Sequence, residues 1–198
     1  MNTKTITRLV STIGFISAAQ FAKVFKMSLI FGSYTAFFSL NNSLIPLSGL
    51  LGFGTASLVS IGKMLFSMLL IGGLFPLHHL AFHLPGLFGA YYWASPSIVI
   101  RLLVPLFCMV MFVVHPVGGQ AWVYAMYWFI PVFLYFVNNN NLFLQALGST
   151  FIAHAVGSVI WLYTVPMMAS AWYALMPMVI IERSEEHTSE LQSQNRIS

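Results

Sequence analysis

Long apolar runs alternate along this chain with short clusters that are polar or contain proline and glycine. Six of these runs are read as candidate membrane-crossing segments: 5–25, 44–61, 64–77, 98–114, 121–137 and 142–165. A segment that crosses lipid must satisfy its own backbone hydrogen bonds, which a helix does internally. We therefore predict an all-α fold, a polytopic transmembrane bundle of about six helices.

Three stretches leave the helix count open. Segment 64–77 is shorter than the roughly 20 residues of a full crossing. It is separated from 44–61 by Lys63, so the two form either two helices or one long kinked unit. Residues 168–181 make a seventh apolar stretch, which is either a short hairpin return or a final helix that has lost its end.

Other stretches favour connecting structure. Gly32 and the pair Asn41-Asn42 indicate a loop or re-entrant piece after the first helix. The aromatic, proline-broken stretch 78–97 suits an interfacial loop or a short helix. The four asparagines at 138–141 predict a tight polar turn.

Composition supports a lipid environment. The chain is 59% hydrophobic and only 6% charged, whereas a soluble domain carries about a quarter charged residues. Such a chain cannot cover a surface that faces water. We expect it in the bacterial inner membrane as a multi-pass protein.

The C-terminal segment differs from the rest. Residues 183–193, RSEEHTSELQS, resemble the in-frame translation of a sequencing-library adapter. We expect residues 1–182 to form a C-terminally truncated integral membrane domain and residues 183–198 to be a non-native, disordered tail.

Charge and cysteine content exclude several functions. Residues 1–182 carry one acid, Glu182, and six scattered basic residues, which do not form the basic stripe that nucleic acid requires. Cys108 is the single cysteine, so a disulfide framework or a thiolate metal site is excluded. The basic residues are Lys4, Arg8, Lys23, Lys26, Lys63 and Arg101.

The chain also lacks the residues of common catalytic sites. It has no paired carboxylates, no Ser/His/Asp set and no glycine-rich phosphate loop, so we predict neither an enzyme nor a cofactor. His79 and His83 have the i, i+4 spacing of a helical metal site. However, Pro76 and Pro85 bracket them and no carboxylate or cysteine is near, so no metal site is predicted.

The last predicted helix carries a row of polar side chains. Thr150, His154 and Ser158 lie at i, i+4 and i+8, with Trp161 further along the same helix. Polar groups in lipid are costly unless they meet partners or water, so the row is a candidate ligand wall. Alternatively, His154 is an interhelical link, while Thr150 and Ser158 bond back to helix carbonyls.

Two helices have small residues at four-residue spacing, which lets a neighbouring helix approach closely. Gly14, Ala18 and Ala22 form such a face on the first helix. On the sixth helix the corresponding residues are Ser149, Ala153 and Gly157. Each face either packs within the chain or, for the first helix, contacts a partner subunit.

The six-span layout, the Gly14, Ala18 and Ala22 face, and the stretch NNSLIPLSGLLGFGTASL resemble the S components of energy-coupling-factor vitamin transporters. The resemblance implies that the first helix meets a transmembrane coupling subunit. It also implies a substrate site built from later helices and the loop after the first one. The ligand contacts would be Thr150, His154, Ser158, Trp161, Asn41 and Asn42.

On this basis we expect a substrate-binding membrane subunit that captures a small molecule, a vitamin or a precursor. Separate coupling and ATPase subunits would supply the energy, since the chain has no nucleotide motif. Two alternatives stand beside it: a structural or assembly membrane protein without a ligand, and a histidine-ligated haem or metal membrane subunit.

Overall fold

The computed structural model describes residues 3–22, 26–31, 34–71, 81–137 and 141–177. These residues are predominantly helical, as predicted. They divide into two compact units, the first ending at Ser95 and the second beginning at Pro96.

The first unit contains four helices and a hairpin within its described residues. The helices are α1 (Thr3–Ala22), α2 (Leu40–Leu47), α3 (Phe53–Ile71) and α4 (Leu84–Ala94), with a 3-10 turn at Ser48–Leu51. The hairpin joins β1 (Lys26–Phe31) and β2 (Tyr34–Ser39), with Lys26 opposite Ser39.

The hairpin corrects the prediction of a loop or re-entrant piece after the first helix. Strand β2 is rich in aromatic residues and β1 ends with Ile30 and Phe31, residue types that favour extended backbone. Asn41 and Asn42, predicted in the same loop, lie instead in the first turn of α2.

The bend in this part of the chain lies at Gly52, inside predicted segment 44–61, and not at Lys63. Gly52 has φ +95°, a conformation that glycine adopts without the steric cost of a Cβ. Helix α3 continues through Lys63, which is buried. A basic residue does not end a helix by itself, so segments 44–61 and 64–77 form one bent unit as far as Ile71.

Close backbone contacts hold the first unit together. Gly49 lies against the carbonyl of Ala90, where a Cβ would overlap that oxygen and would lie 2.9 Å from Cβ of Trp93. The start of α3 is fixed to α4 by Tyr91, whose ring stacks on Phe53 at 4.0 Å and whose hydroxyl is 2.9 Å from Ser57 Oγ.

The second unit follows the predicted segments closely. Its long helices are α5 (Val104–Val114), which continues a π turn at Val99–Leu103, α8 (Phe129–Val137) and α9 (Leu142–Thr164). Shorter helical pieces are α6 (Pro116–Gln120), α7 (Trp122–Ala125), a 3-10 turn (Met126–Trp128) and α10 at 169–177. Asn141, whose side chain accepts from the Phe143 N–H at 2.8 Å, caps α9.

Helix α9 is the one helix among the described residues that is long and apolar enough to cross a membrane by length and composition. Its 23 residues extend about 35 Å, which exceeds the thickness of the hydrocarbon core. Other apolar helical stretches are shorter, at 53–66, 99–114 and 122–137. The multi-pass arrangement of six spans therefore stays a prediction.

We expect Gly49→Ala to lower the free energy of unfolding by about 1–3 kcal/mol, because the added methyl group forces the backbone of α4 away. The matched control is Gly14→Ala. A Cβ at Gly14 meets nothing within 4 Å, and alanine favours a helix by about 1 kcal/mol. Unfolding of both variants in detergent, followed by circular dichroism, compares them; equal stability would contradict the packing role of Gly49.

Candidate functional site

Tyr124 is the centre of a buried polar cluster in the second unit. Its hydroxyl oxygen lies 2.9 Å from Nε2 of His154 and 3.4 Å from Oγ of Ser158. Only 2% of Tyr124 is exposed and Ser158 is also buried, while His154 is half-buried. The cluster therefore replaces water with hydrogen bonds among its own members.

Helix geometry explains how one hydroxyl reaches two partners. His154 and Ser158 are four residues apart on α9, so their side chains lie on one face, one turn apart. Tyr124 approaches that face from α7, a piece of four residues that passes directly into a 3-10 turn.

The chemistry of the three groups limits their protonation. A tyrosine hydroxyl has one hydrogen to donate and lone pairs to accept. When Tyr124 donates to Nε2 of His154, the ring proton of a neutral His154 is on Nδ1, and Ser158 donates to Tyr124. The direction of these hydrogen bonds can also be reversed. The cluster can therefore offer either a hydrogen-bond donor or a hydrogen-bond acceptor to a bound molecule.

Aromatic rings surround the cluster. The rings of Phe112, Trp128 and Trp172 lie 5.6, 6.2 and 5.0 Å from that of Tyr124, between centroids. Both indole N–H groups are buried and find no hydrogen-bond acceptor in the described part of the chain. Two unsatisfied donors thus lie beside the polar cluster, at a cost of about 1–3 kcal/mol each.

The structure brings together part of the predicted ligand wall. Thr150, His154 and Ser158 share α9, and Thr150 is buried like Ser158. Trp161 is 44% exposed, and its indole N–H donates to the sulfur of Met167 at 2.8 Å. Trp161 thus contacts the segment after α9.

The loop residues assigned to the ligand are in the other unit. Asn41 and Asn42 belong to α2, and their side chains lie outside the part of the chain that the structure describes. The structure therefore does not test their assignment as ligand contacts.

The predicted partner face lies on the surface of its own unit. Gly14 and Ala18 are exposed on α1, whereas the side chain of Ala22 lies outside the described residues. On α9, Ser149 is buried and Ala153 and Gly157 are half-buried.

The histidine pair was a possible metal site. His79 lies outside the described residues, and His83 immediately precedes α4. Among the residues described, no group of three or more His, Cys, Asp or Glu side chains could hold a metal ion.

Two members of the site were missed by sequence reasoning. The spacing of Tyr124 relates it to other aromatics on the same segment and not to His154, 30 residues away. Trp172 lies in the seventh apolar stretch, where no local signal points to Tyr124. Only the packing of Tyr124 against α9, and of Trp172 against Tyr124, reveals both roles.

No protein-family model, curated protein or solved structure matches this chain. The resemblance to transporter S components therefore remains a prediction from the sequence.

We expect Tyr124→Phe to lower the free energy of unfolding by about 1–3 kcal/mol, because it removes the shared partner of two side chains on α9. Tyr135→Phe is the matched control, since the Tyr135 ring packs on Phe136 and its hydroxyl has no hydrogen bond within the described residues. Thermal unfolding of both variants checks the prediction, which fails if Tyr124→Phe is as stable as the control.

Proposed function

We propose that this protein is a substrate-binding integral membrane subunit of a small-molecule uptake transporter in the bacterial inner membrane. The observation that carries the proposal is the cluster that Tyr124 forms with His154 and Ser158 of α9, the helix able to cross a membrane.

Position along α9 supports a functional role for the cluster. His154 is near the middle of the helix, which runs from Leu142 to Thr164. At that depth a crossing helix is in the hydrocarbon core, where a polar side chain is costly and commonly belongs to a substrate or ion pathway.

The groups present favour binding over chemistry. Hydroxyl, imidazole and indole groups can form hydrogen bonds to a neutral or weakly polar solute, but the described residues near them include no acid to act as a catalytic partner. A small vitamin or precursor fits this combination of polar contacts and aromatic walls.

Exposed apolar side chains support the multi-pass arrangement. Within the second unit, Val114, Phe133 and Phe136 are each at least two-thirds exposed, and Leu69 in the first unit is 79% exposed. Large hydrophobic side chains on the outside of several helices suit a lipid environment better than water.

The face of α1 supports a partner role. Val10 and Ile13 are exposed beside Gly14 and Ala18, so an apolar stripe with a small-residue centre is open to another helix. We propose that a coupling membrane subunit binds there and that separate ATPase subunits drive transport.

One observation favours a second candidate, a structural membrane protein without a ligand. The polar groups of the cluster form hydrogen bonds with one another, because Tyr124 supplies a partner to both His154 and Ser158. In a structural protein, the role of this link would be to hold α7 against α9.

The two functions predict different results for His154→Leu. The full chain in detergent would be screened by thermal shift against a panel of vitamins and their precursors, and compounds that stabilise it would be retested on variants. For a binding subunit, His154→Leu removes the stabilisation while Tyr135→Phe keeps it.

A panel without any stabilising compound, or a stabilisation that His154→Leu leaves unchanged, would overturn the site assignment. Loss of thermal stability alone, without any ligand effect, would favour the structural role.

A further inference from the structure

A second candidate site lies at the C-terminal end of α9. A cleft of about 550 Å³ is lined there by His115, Val117, Leu162 and residues 163–168. It shares no lining residue with the Tyr124, His154 and Ser158 cluster. Its volume is within the range of about 300–1,000 Å³ that small-molecule sites occupy.

Close packing of α6 forms one wall of the cleft. Gly118 lies against the carbonyl of Phe112, and a Cβ there would lie 2.9 Å from Cδ2 of Leu162. Only glycine allows this approach. This close approach places the start of α6, with His115 and Val117, beside the last turn of α9.

His115 supplies a hydrogen-bond donor. Its Nδ1 accepts from the Val117 N–H at 3.3 Å, so in the neutral ring the hydrogen is on Nε2. The ring is also fixed by an edge contact with Tyr163 at 4.8 Å, and the Tyr163 hydroxyl donates to the Met111 carbonyl at 2.9 Å. No residue of the described ranges accepts a hydrogen bond from Nε2.

Leu162 supplies an acceptor. Its carbonyl would normally accept from the N–H four residues later, but that residue is Pro166, which has none. The carbonyl groups at a helix end also carry partial negative charge. The lining contains no lysine or arginine, so this end of the cleft disfavours an anion.

The remaining walls are mostly apolar and adaptable, and Thr164, the polar side chain among them, donates its hydroxyl to the carbonyl of Ile160. Val117, Val165 and Pro166 are hydrophobic, and Met167 and Met168 add thioether groups that pack well against rings. Met167 is held by the indole N–H of Trp161, which gives Trp161 a positioning role at this cleft.

We propose that this cleft binds a small, neutral ring compound that carries an amide group. The amide oxygen accepts from Nε2 of His115 and the amide N–H donates to the Leu162 carbonyl, while the ring packs between Tyr163 and the thioethers. The proposal does not depend on the proposed function, because it rests on different residues.

The test uses the full chain in detergent and three fluorinated probes, observed by fluorine NMR. The probe 4-fluorobenzamide has the amide donor and acceptor, 4-fluorobenzoate is an anion without the donor, and fluorobenzene has neither group. We expect saturable binding of 4-fluorobenzamide, which unlabelled benzamide displaces, and weaker binding of the other two. Equal binding of all three, or a signal that does not saturate, would overturn the proposal as partitioning into the detergent.

His115→Ser tests the donor without removing the helix cap, because serine is a favoured N-cap residue. We expect it to weaken 4-fluorobenzamide binding about three- to tenfold, the effect of one hydrogen bond, and to leave fluorobenzene unchanged. Tyr135→Phe is the control and should change neither probe. Unchanged benzamide affinity in His115→Ser, or its loss in Tyr135→Phe, would overturn the assignment to this cleft.

Discussion

The hydrogen bonds that Tyr124 shares with His154 and Ser158 are the interaction on which the second unit depends. They join α7 to the middle of α9, the longest helix of the unit, in surroundings where water cannot replace a lost partner. The packing of Phe112, Trp128 and Trp172 around the same tyrosine adds three more contacts to one side chain. A single buried tyrosine thus contacts four chain segments, α9 through its hydroxyl and α5, the 3-10 turn and α10 through its ring.

The second constraint is that backbone segments must approach one another closely, and glycine permits this approach in both units. Gly49 allows the 3-10 turn to meet α4, and Gly118 allows α6 to meet α5 and α9. In lipid, helices gain no hydrophobic advantage from touching one another, so close van der Waals packing carries much of their association. Gly14, by contrast, has open space around it and serves no such contact within its own unit.

The two candidate sites on α9 differ in their physical character. The Tyr124 cluster is enclosed, satisfies its own hydrogen bonds and is surrounded by packed aromatic rings. The cleft at the end of the helix is open and has a donor on His115 and an acceptor on Leu162. A molecule at the first site would have to displace existing interactions, whereas one at the second would add to them. Pro166 creates this difference, because it ends the helical hydrogen bonding at Leu162.

Sequence alone determined the helical character of the chain and the bounds of segments 98–114, 121–137 and 142–165, because apolar runs and their proline, glycine and asparagine boundaries act locally. It also grouped Thr150, His154 and Ser158 on one face, since that follows from helix periodicity. It did not give the break at Gly52, the hairpin after α1 or the partner of His154. The partner of His154 lies 30 residues away, and only tertiary packing decides which distant segment supplies it.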